Sequence, residues 1–238
     1  MRYGAAAWVA GALMLFTGAA QAQAPAELPP DVAFARQVAF IRAHIATGDE
    51  LVQKRDWGLA HRHFMFPIEE VYAAIRLDLR VYKTPPFDFA LKTLARTVRT
   101  RNVKQYPQAL QKVRASLSVA DAGLKARQPE WAPFVLRVAV AMLSTAPDEY
   151  EDAVVDGRIA RPISYQVARS YVLEAERMID EVAGELGAKN PEALRELRDN
   201  LTQLKRAFAA LNAPKQPPQD PAAVTERVAA IEAAAAKL

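Results

Sequence analysis

Apolar residues recur at intervals of three and four along most of the chain, and prolines separate the successive runs. The first such run after Asp31 has its apolar positions at Phe34, Val38, Ile41 and Ile45. This spacing places the apolar side chains on one face of an α-helix. The alternation of apolar and polar residues that predicts strands is absent. The sequence therefore predicts an all-α, up-and-down helical bundle of about six to eight helices.

Three local signals set the expected helix boundaries. Asp31 is expected to cap the first helix, since its side chain can accept from free backbone N–H groups. The second helix, over residues 59–82, is expected to bend or restart at Pro67, because proline lacks a backbone donor. Asp156-Gly157 is expected to end a short helix over residues 148–155 through a left-handed glycine. A helix over 191–211 closes the bundle.

The N-terminus has the pattern of a secretory signal peptide. Arg2 precedes an apolar run over residues 5–16, and the small-x-small sequence at 20–22 provides a cleavage site. The alternative is an uncleaved anchor helix. The expected organisation is a signal peptide (1–22), a linker (23–30), a helical bundle domain (31–211), a proline-rich spacer (212–221) and a C-terminal helix (222–238). We therefore expect an exported protein, most simply located in a bacterial periplasm.

Composition excludes several kinds of chemistry. The chain has no cysteine, which excludes disulfides, thiolate metal sites and iron–sulfur clusters. Its 31 basic and 27 acidic residues give a mild positive excess that does not indicate nucleic-acid binding. No His-Glu-x-x-His helix is present, and no serine lies near a histidine in the sequence. We therefore expect a protein that is not an enzyme.

All three histidines, His44, His61 and His63, lie in the first predicted helical hairpin. An antiparallel hairpin with its turn near residue 56 puts His63 level with Asp49, and His63 shares a helix face with Glu70. Imidazole and carboxylate ligands together suit a first-row metal ion. The sequence therefore predicts a metal site formed by His44, Asp49, His63 and Glu70. The alternative is that these histidines are ordinary buried or surface groups.

The C-terminal helix has a short heptad pattern. Its apolar positions are Val224, Val228, Ile231, Ala235 and Leu238. One interpretation is that this face docks on the bundle. The other is that it binds a partner or forms a homodimer through Val224, Val228 and Ile231.

The segment over residues 148–171, DEYEDAVVDGRIARPISYQVARSY, resembles part of the periplasmic domain of Ftr-type bacterial iron permeases. The matching positions are Tyr150, Ala153, Val154, Asp156, Gly157, Ile159 and Tyr165. Ser164 stands where that family has a glutamate. The resemblance implies Tyr150 and Asp156 as weaker candidates for metal ligands.

The first hairpin is similar to imelysin-like periplasmic metal-binding proteins, which have a His-x-x-Glu-type motif. In this sequence Phe66 stands where a second histidine is expected in a His-x-x-His-Pro pattern after His63. The two resemblances imply an exported accessory of metal uptake or homeostasis that binds a divalent or ferric ion, iron or copper. They imply a membrane metal transporter or another periplasmic protein as the partner. The alternative is a non-catalytic structural or partner-binding bundle with no metal site.

Overall fold

The computed structural model describes residues 27–238, so the predicted signal peptide and residues 23–26 of the linker lie outside the described residues. The described residues form ten α-helices and one short β-hairpin, and the prediction of an all-α fold is confirmed. The helices are α1 (Pro30–Gln53), α2 (Trp57–Phe66), α3 (Tyr72–Ile75), α4 (Asp88–Arg99), α5 (Tyr106–Lys125), α6 (Trp131–Leu143), α7 (Ala146–Ala153), α8 (Pro162–Lys189), α9 (Pro191–Leu204) and α10 (Pro221–Ala235). None of them combines the length and apolarity needed to span a bilayer.

Two groups of helices share one apolar core. In the C-terminal half, α6, α8, α9 and α10 pack in a closed ring, each against the next, and α7 lies on α8. In the N-terminal half, α1 forms an antiparallel hairpin with α2, and α4 bridges α2 and α5. Helix α1 also packs against α6 and α8. This helix therefore joins the two halves.

The second predicted helix is shorter than expected and changes its winding at Pro67. Helix α2 ends at Phe66, a π-helical turn covers Pro67–Val71, and α3 follows. The N–H of Tyr72 donates to the carbonyl of Pro67, the i→i+5 pattern of a π-helix. The expected restart at Pro67 is therefore present, and hydrogen-bonded turns rather than helix follow α3.

Asp31 does not cap the first helix. Helix α1 begins at Pro30, and the carboxylate of Asp31 in its first turn accepts from Tyr82 Oη at 2.7 Å and from Gln128 Nε2 at 2.7 Å. Asp31 thus ties α1 to the turn before α4 and to the end of α5. The helix closing the bundle is also shorter than predicted, because α9 passes at Lys205–Phe208 into a 3₁₀ turn.

Asp156 and Gly157 form a hairpin turn rather than a simple helix exit. Their φ angles are +51° and +70°, and they connect β1 (Val154–Val155) to β2 (Arg158–Ile159). Asp-Gly is favoured in two-residue hairpin turns because both central residues need positive φ.

The apolar face of α10 lies against the bundle. Val224, Val228 and Ile231 are at most 4% exposed, and α10 packs on α9, α7 and α6. The structure therefore agrees with the interpretation in which the apolar face of this helix docks on the bundle. A homodimer through the same three residues would require α10 to leave the bundle, so the structure does not offer that surface.

Candidate metal centre

The structure brings His44 of α1 against His63 of α2. Gly48, one turn after His44, has no side chain, and a Cβ there would lie 2.7 Å from Cζ of Phe64. The ring of Phe64 therefore packs directly on the α1 backbone, which allows the two helices to approach closely beside the histidines. Both imidazoles are buried, and each histidine is 1% exposed.

A chain of hydrogen bonds runs from His44 to the far side of the bundle. The two Nδ1 atoms of His44 and His63 are 3.2 Å apart. His63 Nε2 lies 3.1 Å from Oε1 of Gln166 on α8. The amide nitrogen of Gln166 donates to the carbonyl of Leu211 at 3.2 Å. The pair of histidines is thus anchored to both halves of the molecule.

This chain fixes the positions of the ring protons. Because Gln166 donates to Leu211, its Oε1 faces His63 and accepts from His63 Nε2–H. His63 Nδ1 then has a lone pair that accepts from His44 Nδ1–H. His44 Nε2 is left with a buried lone pair that has no hydrogen-bond partner in residues 27–238. A buried acceptor without a partner is uncommon and points to a further role for the pair.

Burial keeps both imidazoles neutral. It lowers the pKa of His63 to about 4, although the hydrogen bond to Gln166 opposes the change. Burial lowers the pKa of His44 well below its usual value, and the adjacent His63 lowers it further. The neutral imidazole is the form that binds metal ions. Neither ring therefore has to be converted from the charged imidazolium form before a metal ion binds.

Aromatic rings enclose His44. The ring of Phe66 stacks on it, with centroids 4.0 Å apart and an interplanar angle of 11°. Tyr171 of α8 meets it edge-on, with centroids 6.0 Å apart. Phe66 occupies the position where the imelysin-like pattern has a second histidine, and it supplies an apolar cover there.

The spacing of the two nitrogens fits a metal ion. In a tetrahedral site with metal–nitrogen bonds of about 2.0–2.1 Å, two ligand nitrogens lie about 3.3 Å apart. The observed Nδ1 separation of 3.2 Å in His44 and His63 is close to this value. The bond from His63 Nε2–H to Gln166 matches the outer-sphere contact that orients metal-binding histidines. In the described part of the chain no three His, Asp or Glu side chains gather around one point, so the pair would supply two ligands only.

The structure does not bring Asp49 or Glu70 to the histidines. Asp49 lies five residues after His44, which on an α-helix turns it to another face. Its carboxylate accepts from Tyr106 Oη at 2.7 Å and from Arg114 at 2.9 Å. Glu70 is exposed. The prediction put it on the same helix face as His63, but the π-helical turn between them changes the α-helical spacing on which that prediction depended. The predicted four-residue site is therefore reduced to its two histidines.

Tyr150 and Asp156 lie in other surroundings. Tyr150 is fully buried, and its hydroxyl donates to the carbonyl of Gln219 at 2.8 Å. This bond holds the segment before α10 against α7. Asp156 is exposed in the hairpin turn. Neither position therefore forms a common site with the histidine pair.

Sequence reasoning missed Gln166, which orients His63. Its signal was a row of polar residues on the buried side of α8: Gln166, Ser170 and Glu174 are all at most 4% exposed. Their spacing of four puts them on one face. Such a polar stripe indicates contacts with other polar groups inside the bundle.

Comparison with known proteins finds a similarity in the C-terminal half of the chain. Residues 125–238 match the family of the iron permease-associated 4-helix bundle domain. The matched stretch, just under half of the chain, contains α6–α10, whose four longer helices form the closed ring. No curated protein and no solved structure matches the chain.

Residues 125–238, which contain the ring of four helices, are therefore similar to the iron permease-associated bundle domain. This confirms the resemblance in residues 148–171, which lie inside the matched stretch. The match suggests that the chain is involved with an iron permease and with metal uptake, which is a transport-related role. The histidine pair lies outside the matched residues, although Gln166 lies within them.

Proposed function

We propose that this protein is an exported, non-catalytic helical accessory of iron uptake that works with a membrane iron permease. The observation that supports it most strongly is the match of residues 125–238 to the iron permease-associated domain. The signal-peptide pattern of residues 1–22 favours a periplasmic location.

Iron uptake by cells tests this role. Deleting the gene should reduce the uptake of radioactive iron under iron limitation, and expression of the full chain should restore it. The protein should also be recovered in the periplasmic fraction. Unchanged iron uptake in the deletion strain would contradict the proposal.

The second part of the proposal concerns metal binding, and it rests on the two neutral nitrogens 3.2 Å apart. We propose that Nδ1 of His44 and Nδ1 of His63 bind one metal ion, and that the proton on His44 Nδ1 moves to the free Nε2 of the same ring, which stays neutral. Imidazole nitrogen suits copper, zinc and iron. The remaining ligand positions would be filled by water or by a group from the partner. The histidines are buried, so binding requires the α1–α2 hairpin to open.

Equilibrium dialysis with Cu⁺, Zn²⁺ or Fe²⁺ and the metal-free protein tests this site. We expect one bound ion per chain for the wild type and loss of that ion in a His44→Gln, His63→Gln double variant. Gln166→Leu should weaken binding by about 10–100-fold, because it removes the outer contact of His63. His61→Ala is the matched control, since His61 lies off the face of His63, and it should bind as the wild type does.

Equal binding by the wild type and the double variant would remove this metal site. No binding by the wild type would favour the alternative, a structural or partner-binding bundle without a metal. The two parts of the proposal can fail separately. A protein that binds the permease but no metal would still restore iron uptake in the deletion strain, although dialysis would show no bound ion.

A further inference from the structure

Positive charge is concentrated in one segment of the chain. Residues 76–104 contain eight basic residues and two acidic ones, a net charge of +6, whereas the whole chain has a net charge of +4. The rest of the chain is therefore slightly negative. The basic residues are Arg76, Arg80, Lys83, Lys92, Arg96, Arg99, Arg101 and Lys104.

All eight basic side chains are exposed. Within residues 27–238 only Lys92 among them forms an ion pair, with Asp88 at 3.0 Å. The other seven have no carboxylate partner in the described chain, although many basic residues elsewhere do. Their charge is therefore available to an anionic partner.

Large apolar side chains are exposed among these charges. The described residues include six exposed large apolar side chains, and four of them lie in this segment. They are Phe89 (74% exposed), Leu77 (72%), Val103 (68%) and Val81 (45%). We call the exposed surface of residues 76–104, which carries these side chains and the eight basic residues, the basic face.

The fold places the start of this segment beside α4. Phe89, Lys92, Arg96 and Arg99 are spaced by three, four and three on α4, so they share one exposed side of that helix. Arg76, which precedes Leu77, lines the same surface depression as Lys92. The turn that contains Leu77 and the side of α4 that contains Phe89 therefore flank one another.

We propose that the basic face docks the protein on the surface of a bilayer that contains anionic lipids. Exposed Phe and Leu side chains amid Lys and Arg are the composition that binds the interface between headgroups and acyl chains. The basic residues are attracted to anionic headgroups, and each contributes about fivefold in binding constant near such a surface. Leu77 and Phe89 enter the interface, where their apolar surface leaves water.

The exposed aliphatic side chains favour a lipid surface over a nucleic acid. Nucleic-acid binding surfaces combine basic residues with polar groups and with aromatic rings that stack on bases. Leu77, Val81 and Val103 have neither a hydrogen-bonding group nor a ring. This inference is independent of the iron-uptake proposal, because adsorption to lipid requires neither a metal nor the permease.

Sedimentation of the protein with lipid vesicles tests the docking surface. We expect binding to vesicles that contain phosphatidylglycerol, none to vesicles of pure phosphatidylcholine, and release at high salt. An Arg96→Glu, Arg99→Glu variant should bind at least about 25-fold more weakly. A Leu77→Ser, Phe89→Ser variant should also bind severalfold more weakly. All four residues are exposed, so circular dichroism should show unchanged folding.

An Arg195→Glu, Arg206→Glu variant is the matched control, because it changes the net charge equally on another surface. It should bind vesicles as the wild type does. Equal weakening by both charge reversals would overturn the basic face as the docking surface. Failure of the wild type to bind the anionic vesicles would overturn the lipid assignment, and so would preferential binding to an oligonucleotide in the same assay.

Discussion

The two buried histidines show how a single pair of side chains can couple the stability of this protein to pH. His44 and His63 are neutral in the folded protein because burial disfavours the charged form. In the unfolded chain each imidazole takes up a proton near its usual pKa of 6.5. The folded protein takes up these protons only at lower pH, because burial lowers the pKa of both imidazoles.

We therefore expect the metal-free protein to lose stability as the pH falls from about 6.5 to about 4. In this window the unfolded chain binds more protons than the folded chain, so the free energy of unfolding decreases. His63, with its folded pKa of about 4, accounts for a loss of about 2 kcal/mol between pH 7 and pH 5. His44 acts in the same direction. Urea unfolding of chelator-treated protein at a series of pH values measures the effect.

The comparison of variants assigns this pH dependence to the pair. The His44→Gln, His63→Gln double variant should show a flatter dependence over the same range, whatever its stability at pH 7. His61→Ala should retain the slope of the wild type. If all three proteins show the same slope, the buried histidines do not cause the loss of stability.

The contact between α5 and the turn before α4 depends on a glycine. A Cβ at Gly123 would lie 1.8 Å from the backbone oxygen of Tyr82, which cannot move away as a side chain can. The hydroxyl of Tyr82 is also held by Asp31. Glycine at this position therefore allows α5 to pack directly on the turn.

Gly123→Ala should destabilise the protein by about 3 kcal/mol, because overpacking against backbone forces the helix and the turn apart. Gly184→Ala on α8 is the matched control. A Cβ there meets nothing within 4 Å, so the higher helix propensity of alanine should stabilise the protein by about 0.5–1 kcal/mol. Urea unfolding at pH 7 measures both changes. Similar effects of the two substitutions would refute the close contact.

The elements differ in how far local sequence predicts them. The long helices follow from apolar spacing, and Asn190 caps α9 by accepting from the N–H of Ala193, as its sequence pattern indicates. Local sequence did not predict the π-helical turn at Pro67–Val71, because the winding of this turn depends on packing as well as on the missing backbone donor of the proline. Placing Glu70 beside the histidines assumed α-helical spacing through this turn, and that assumption was wrong.

The described part of the molecule consists of a C-terminal ring of helices, which matches the iron permease-associated bundle domain, and an N-terminal group of helices that makes polar contacts with it. Arg42 of α1 pairs with Glu174 of α8 at 3.1 Å. Glu50 of α1 pairs with Arg169 of α8 at 2.8 Å. The histidine pair lies in the same interface through its bond to α8. We therefore expect metal binding or protonation at the pair to affect how α1 and α2 pack on the ring.

The sequence by itself determined the all-α class, most of the helices and the confinement of the histidines to one hairpin, because these depend on neighbours three or four residues apart. Only the tertiary structure decided which groups surround the histidines. Gln166 lies 103 residues from His63 in the chain, and Asp49 is turned toward Tyr106 and Arg114 of α5. The meeting of distant segments depends on how whole helices pack, and no local spacing of residues contains that information.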